Sequence, residues 1–119
     1  MNTLFDILFL DEAFEFLNSL ERRHSEKILY NIRKAQVGKD PVLFKKLSNE
    51  IWEFRTQFQG LQYRLLAFWE KSDTENTLVI ATHGFIKKRS KVPEGEIQKA
   101  RQLRAQYFND KEILKKKKK

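Results

Sequence analysis

Between Glu53 and Arg89 the chain carries the residue types that hold phosphate and move protons. Arg55 and Arg64 each offer a planar fork of donors that matches phosphate oxygens and stays charged at physiological pH. Glu53 and His83 can accept or release a proton once their surroundings tune them. Lys87-Lys88-Arg89 adds a run of cations directly afterwards. Whether these groups meet depends on the elements that carry them.

The stretches Ile51–Arg55, Gln59–Trp69 and Thr77–Arg89 are dense in β-branched and aromatic residues. They read as three consecutive antiparallel strands followed by a basic loop. Gly60 supplies the first turn. The polar run Lys71-Ser-Asp-Thr-Glu-Asn76 separates the second strand from the third. Pairing Gln57 with Gly60 sets Glu53 opposite Arg64 and Arg55 opposite Gln62. Side chains alternate along a strand, so Glu53, Arg55 and Arg64 share one face. Trp52, Phe54, Tyr63 and Leu65 share the other, the face expected to pack against helices. Pairing Glu70 with Thr77 sets His83 opposite Arg64. A one-residue slip would send the set to the wrong side.

The remaining elements frame this sheet. Thr3–Leu10 is apolar around Asp6 and reads as a first strand. Asp11 is the expected N-cap of a helix carrying Ala13, Phe14, Leu17 and Leu20 at helical spacing. After an interruption at Arg22–Ser25, a second helix carries Ile28, Leu29, Ile32 and Ala35, and Gly38 and Asp40-Pro41 stop it. The two helices form an αα-hairpin. Val42–Leu47 is a short strand or an extended loop. Pro93 suits the first turn of a third helix, striped by Ile97, Ala100, Leu103 and Tyr107. The expected class is α+β, in one domain over 1–110, with 111–119 as a disordered basic tail ending in Lys115–Lys119.

Composition narrows the chemistry. A 119-residue chain has room for one modest core. Its net charge of +8 points to a polyanionic partner, or to a basic surface kept for solubility. Without cysteine there is no disulfide, thiolate catalysis or zinc–thiolate site. Two histidines, His24 and His83, are too few for a histidine-rich metal site, and no cofactor is expected. No apolar run of spanning length occurs, so no membrane contact and a cytoplasmic location are expected.

The order β-α-α-β-β-β with a basic C-terminal stretch resembles the RelE/ParE toxin superfamily. Leu47 followed by Ile51-Trp-Glu-Phe-Arg55, Gln59-Gly-Leu-Gln-Tyr-Arg64 and His83-Gly-Phe-Ile-Lys-Lys88 is similar to its HigB-type, phage-derived branch. The likeness covers about residues 3–108. It implies a RelE-like fold and a ribosome-dependent mRNA endonuclease. It also implies a small helix-turn-helix (HigA-like) antitoxin as partner, with a heterotetramer as one form of the complex. Carried across, Arg64 matches the arginine that contacts the scissile phosphate, and Arg55 a basic position on the preceding strand. Lys87 or Lys88 falls near another basic catalytic position, with Arg89 following. Lys45 and Lys46 fall where relatives hold RNA backbone. Glu53 stands where RelE-like members often carry a basic residue, so it either acts as an acid–base group or orients Arg64. There is no late-strand tyrosine near Lys88, which leaves base stacking unassigned.

Such cleavage removes a proton from the 2′-hydroxyl, stabilises a phosphorane and protonates the 5′-oxygen. The arginines suit the second task. His83 or Glu53 suits the first, and His83 or a lysine the third. Plainer alternatives exist for each group: a cross-strand salt bridge for Glu53–Arg64, a strand-end histidine for His83, a solvated loop for Lys87–Arg89. Trp52 and Trp69 read as core, and Phe58 either packs or meets a base. At the level of function, the alternative is a non-catalytic binder of the same fold. That would be a gyrase-directed ParE-like toxin or an inactive phage homologue.

Overall fold

The first strand, β1 (Asp6–Phe9), feeds a helical hairpin of α1 (Asp11–Ser19) and α2 (Arg22–Gly38). Four strands follow: β2 (Phe44–Ser48), β3 (Ile51–Phe58), β4 (Leu61–Glu70) and β5 (Leu78–Ile86). A long helix, α3 (Glu94–Lys117), closes the chain. The structure, a computed structural model, describes residues 3–38, 40–71 and 77–117. The strands form one sheet in the order β1-β5-β4-β3-β2. β1 runs parallel to β5, and the other neighbours are antiparallel.

Strand alternation divides the apolar residues between two faces. On one, Phe54, Tyr63, Leu65, Ala67, Val79 and Ala81 meet Ala13 and Leu17 of α1 and Ile28, Ile32 and Ala35 of α2. Fully burying each large aliphatic side chain stabilises the fold by roughly 1.5–3 kcal/mol. Trp52 and Trp69 pack at the margin of this core, edge to face. α1 lies so close to β5 that a Cβ on Gly84 would collide with the Phe16 ring. Gly84 is therefore what lets α1 sit flat on the strand.

On the opposite face Ile51, Leu66, Phe68 and Ile80 pack beneath Ile97 and Ala100 of α3. Tyr107 and Phe108 add ring contacts to Phe68. α3 thus covers one end of this face and leaves the end bearing Arg55 and Arg64 to other contacts. No helix among the described residues is long and apolar enough to cross a membrane.

Several local expectations are corrected. The β3–β4 hairpin turns through Gln59 and Gly60, at φ 49° and 79°, with Phe58 paired to Leu61. Both central residues take positive φ, the condition that a two-residue primed turn imposes. The ladder is therefore two residues out from the expected one: Arg55 opposes Arg64, and Glu53 opposes Leu66. A shift of two preserves the faces. Glu70 pairs with Leu78 rather than Thr77, and after a bulge His83 stands opposite Leu66, not Arg64. Leu10, not Asp11, holds the N-cap position of α1, without a side-chain cap bond; Asp11 is in the first turn, where a carboxylate favours the helix dipole. Leu29 and Phe14 point outward. Val42 lies in the turn before β2, which begins at Phe44. Residues 111–117 continue α3 where a disordered tail was expected, with Lys115–Lys117 in the last turn, the end that favours cations. Most of the polar turn expected at 71–76, and the last two lysines, lie outside the described residues.

Candidate active site

Arg64 is the centre of the open end of the sheet. It sits mid-strand on β4, and its side chain is 4 % exposed. Nε lies 3.1 Å from Glu53 Oε1. Nη1 donates to the carbonyl of Tyr63 at 3.0 Å, and Nη2 to Gln62 Oε1 at 3.2 Å. Arg55, half-buried, stands directly across the ladder. Burial lowers the Arg64 pKa from its ordinary value; Glu53 draws it back up and Arg55 presses it further down. Even so lowered, a guanidinium remains a cation. The contact with Glu53 is close but poorly angled: neither Glu53 Oε1 nor Arg64 Nε makes a well-directed hydrogen bond.

Register adds two further cations to this face. Lys45 pairs with Glu53 across β2–β3, and its neighbour Lys46, opposite Trp52, falls on the other face. Past the end of β5, the Lys87 amide donates to the Gln62 carbonyl at 2.7 Å, so Lys87 continues the ladder beside Gln62. Lys88 and Arg89 are exposed on the following loop. A cleft of about 420 Å³ opens along β3 beyond its pairing with β2, lined by Arg55, Gln57, Gln62 and Arg64 together with Lys27, Asn31 and Lys34 of α2. The strands thus bring Arg55, Arg64, Glu53, Lys45 and Lys87 together.

His83 is not part of this group. It is 2 % exposed beneath the start of α3. Its Nε2 contacts Glu96 Oε1 at 2.9 Å, and Nδ1 the Thr82 hydroxyl at 3.1 Å. Burial lowers its pKa from the ordinary 6.5, opposed in part by Glu96. Thr82 is the extra residue of the bulge and turns its hydroxyl toward the Leu66 carbonyl at 3.1 Å. His83 therefore pins α3 to β5. Phe58 is likewise accounted for by packing, with its ring edge-on to His24 at 4.9 Å. His24 in turn meets the Tyr63 hydroxyl at 2.7 Å.

A model of the family described as phage derived protein Gp49-like (DUF891) matches residues 15–105, well over half of the chain. The chain belongs to the Gp49-like family. No curated protein matches it in sequence. Among solved structures, the Gp49-like chain is similar to the toxin–antitoxin complex RelBE2 from Mycobacterium tuberculosis. The TM-score is 0.50 at 20% identity, over 70% of this chain and 98% of that one. The likeness is one of fold: the Gp49-like chain has a RelE-like α+β architecture.

The geometry also brings in residues that the sequence left unmarked. Gln62 occupies Arg64 Nη2 and neighbours Lys87. Alternation from Arg64 would have shown it on the same face. Lys27 and Lys34 reach the cleft from α2. Their spacing of seven put them on one helical stripe, but nothing in the sequence placed that stripe beside β3. Among the described residues, no group of three or more His, Cys, Asp or Glu could hold a metal ion.

Proposed function

We propose that this protein is the toxin of a type II toxin–antitoxin pair, an endoribonuclease that cuts mRNA on the ribosome. Its partner in this reading is a helix-turn-helix, HigA-like antitoxin, which neutralises it in a complex of two or four chains. The observation that carries the proposal is the pairing of Arg55 with Arg64 at the end of the sheet that α3 leaves uncovered, with Lys45 and Lys87 on the same face.

The chemistry follows from those contacts. A scissile phosphate entering the cleft takes the place of the Gln62 amide oxygen on Arg64 Nη2, while Arg55 meets it from the neighbouring strand. Two guanidinium forks then stabilise the charge that grows on the phosphorane as the 2′-oxygen attacks, its proton passing to solvent water in the cleft and the bond to the 5′-oxygen breaking. Glu53 acts as a positioning residue, holding Arg64 through Nε so that the Nη edge faces the cleft. Lys87 offers positive charge, or a proton, to the departing 5′-oxygen. Lys88 and Arg89 extend the phosphate-binding surface. His83, closed under α3 with both ring nitrogens engaged, is given no proton-transfer role.

The burial of Arg64 and the engagement of its fork favour one competing reading, a non-catalytic binder of the same fold. Purified protein, ribosomes and a translated message separate the two. Arg64→Ala and Arg55→Ala should each lower cleavage by about a hundredfold, the usual loss for one such donor. Arg64→Lys should recover little, because a point charge does not replace a fork. A folded Arg64→Ala protein that cuts at the parent rate would remove the nuclease reading and leave the binder.

A further inference from the structure

The outer face of α2 carries an aromatic ring held among cations. Tyr30 is 57 % exposed. Lys27 Nζ lies 5.1 Å and Lys34 Nζ 5.4 Å from its ring centroid. Spacings of three and four residues place the three side chains in one stripe. Tyr30 packs into no core and is not in either buried cluster.

This stripe joins the candidate active site physically. Lys27 and Lys34 line the cleft of Arg55 and Arg64. Lys34 also lines a second cleft, of about 630 Å³, walled by Tyr30 and Arg33 and ending at Asp40. Among the described residues of both linings Asp40 is the sole carboxylate, and its Oδ1 already accepts from the Val42 amide at 2.8 Å. One continuous cationic surface therefore leads from the paired arginines to a solvent-facing aromatic ring.

We infer that this face of α2 binds single-stranded RNA beyond the cleavage site, with Tyr30 stacking on an unpaired base and Lys27 and Lys34 meeting the flanking phosphates. A ring face plus adjacent ammoniums is the chemistry that reads a base with its backbone, and stacking tolerates any base identity. The strand must be unpaired, since a duplex hides its base faces. An arriving base displaces an ammonium from the ring, and that ammonium is then beside the phosphate the base brings with it. The inference rests on the RNA-directed reading above and supplies the stacking group that the strands do not provide.

The test is fluorescence anisotropy with a short labelled single-stranded RNA, its base-free (abasic) counterpart and a duplex, using the full chain without ribosomes. Tyr30→Ala should weaken binding of the base-bearing strand about tenfold or more, given the usual worth of one stacked base. It should leave the abasic strand and the duplex unchanged, and Tyr30→Trp should retain parent affinity. Lys27→Gln and Lys34→Gln should each reduce the salt slope by about 0.7. Parent affinity in Tyr30→Ala, or an equal loss on the abasic strand, overturns the inference. So does loss of antitoxin binding with RNA binding intact, which would mark the face as a protein-docking surface. Because binding is read without cleavage, the two proposals fail separately. A chain that stacks through Tyr30 but never cuts loses the nuclease alone; one that cuts but ignores Tyr30 loses the stacking site alone.

Discussion

Replacing Glu53 by glutamine keeps its shape and removes its charge. The consequence can be worked from one distance. At 3.1 Å from Arg64 Nε, Glu53 interacts by about 5 kcal/mol at an effective dielectric of 20. The poor angle of the contact means that this is not fully realised. Arg64 cannot respond by giving up its proton, and Arg55 across the ladder adds repulsion. Breaking one side of such a buried pair typically costs about 3–5 kcal/mol. For this geometry the expected loss in Glu53→Gln is near 3 kcal/mol, a large share of a net stability of roughly 5–15 kcal/mol. The double replacement Glu53→Leu with Arg64→Met should recover most of it, since no buried charge then remains. Urea unfolding of the three proteins, with unchanged m-values, reads both quantities. If Glu53→Gln unfolds within about 0.5 kcal/mol of the parent, the carboxylate is not holding Arg64, and its positioning role falls with it.

Gly84→Ala should destabilise the fold by about 1–3 kcal/mol through collision with Phe16, read as a fall of several degrees in Tm. An unchanged Tm would mean that α1 does not rest on β5 at that point. Acidification gives a second outcome. The His83 pKa is lowered in the fold, so below pH 6.5 the unfolded chain binds the proton first. Its contribution to stability is therefore whole above pH 6.5 and is lost as the pH falls toward the folded pKa. Thermal melts of the parent should fall more steeply below pH 6.5 than those of His83→Asn; parallel curves would refute the assignment.

Much of the fold was legible because it rests on periodicity. Leu17, Ile28, Ile32 and Ala35 mark buried helix faces, and Phe54, Tyr63 and Leu65 mark a buried strand face. These patterns need only local spacing. The outward Phe14 and Leu29 fail for the complementary reason: they lie within a helical apolar pattern, but no element among the described residues covers them. The parallel pairing of β1 with β5 joins segments more than sixty residues apart and has no local signature. The site divides along the same line. That Glu53, Arg55 and Arg64 share a face follows from parity. That Arg64 is sunk between Glu53, Gln62 and the Tyr63 carbonyl depends on χ angles and neighbours that alternation says nothing about.

His83 shows how a parity argument can reach the right face by the wrong route. Pairing Glu70 with Thr77 is one residue out from the observed pairing with Leu78, an error that reverses the faces of Leu78 to Ala81 relative to β4. The bulge between Leu66 and Ala67 then inserts Thr82 and shifts the ladder by one more. Two single shifts restore parity, so His83 returns to the Arg64 face, two pairs further from the β3–β4 hairpin. That displacement moves it from opposite Arg64 to opposite Leu66, beneath α3, where Glu96 meets it. The face of a residue survives an even error in register, but its neighbours do not. For catalysis the neighbours decide: the same alternation that gathers Arg55 and Arg64 gives His83 to the anchoring of a helix.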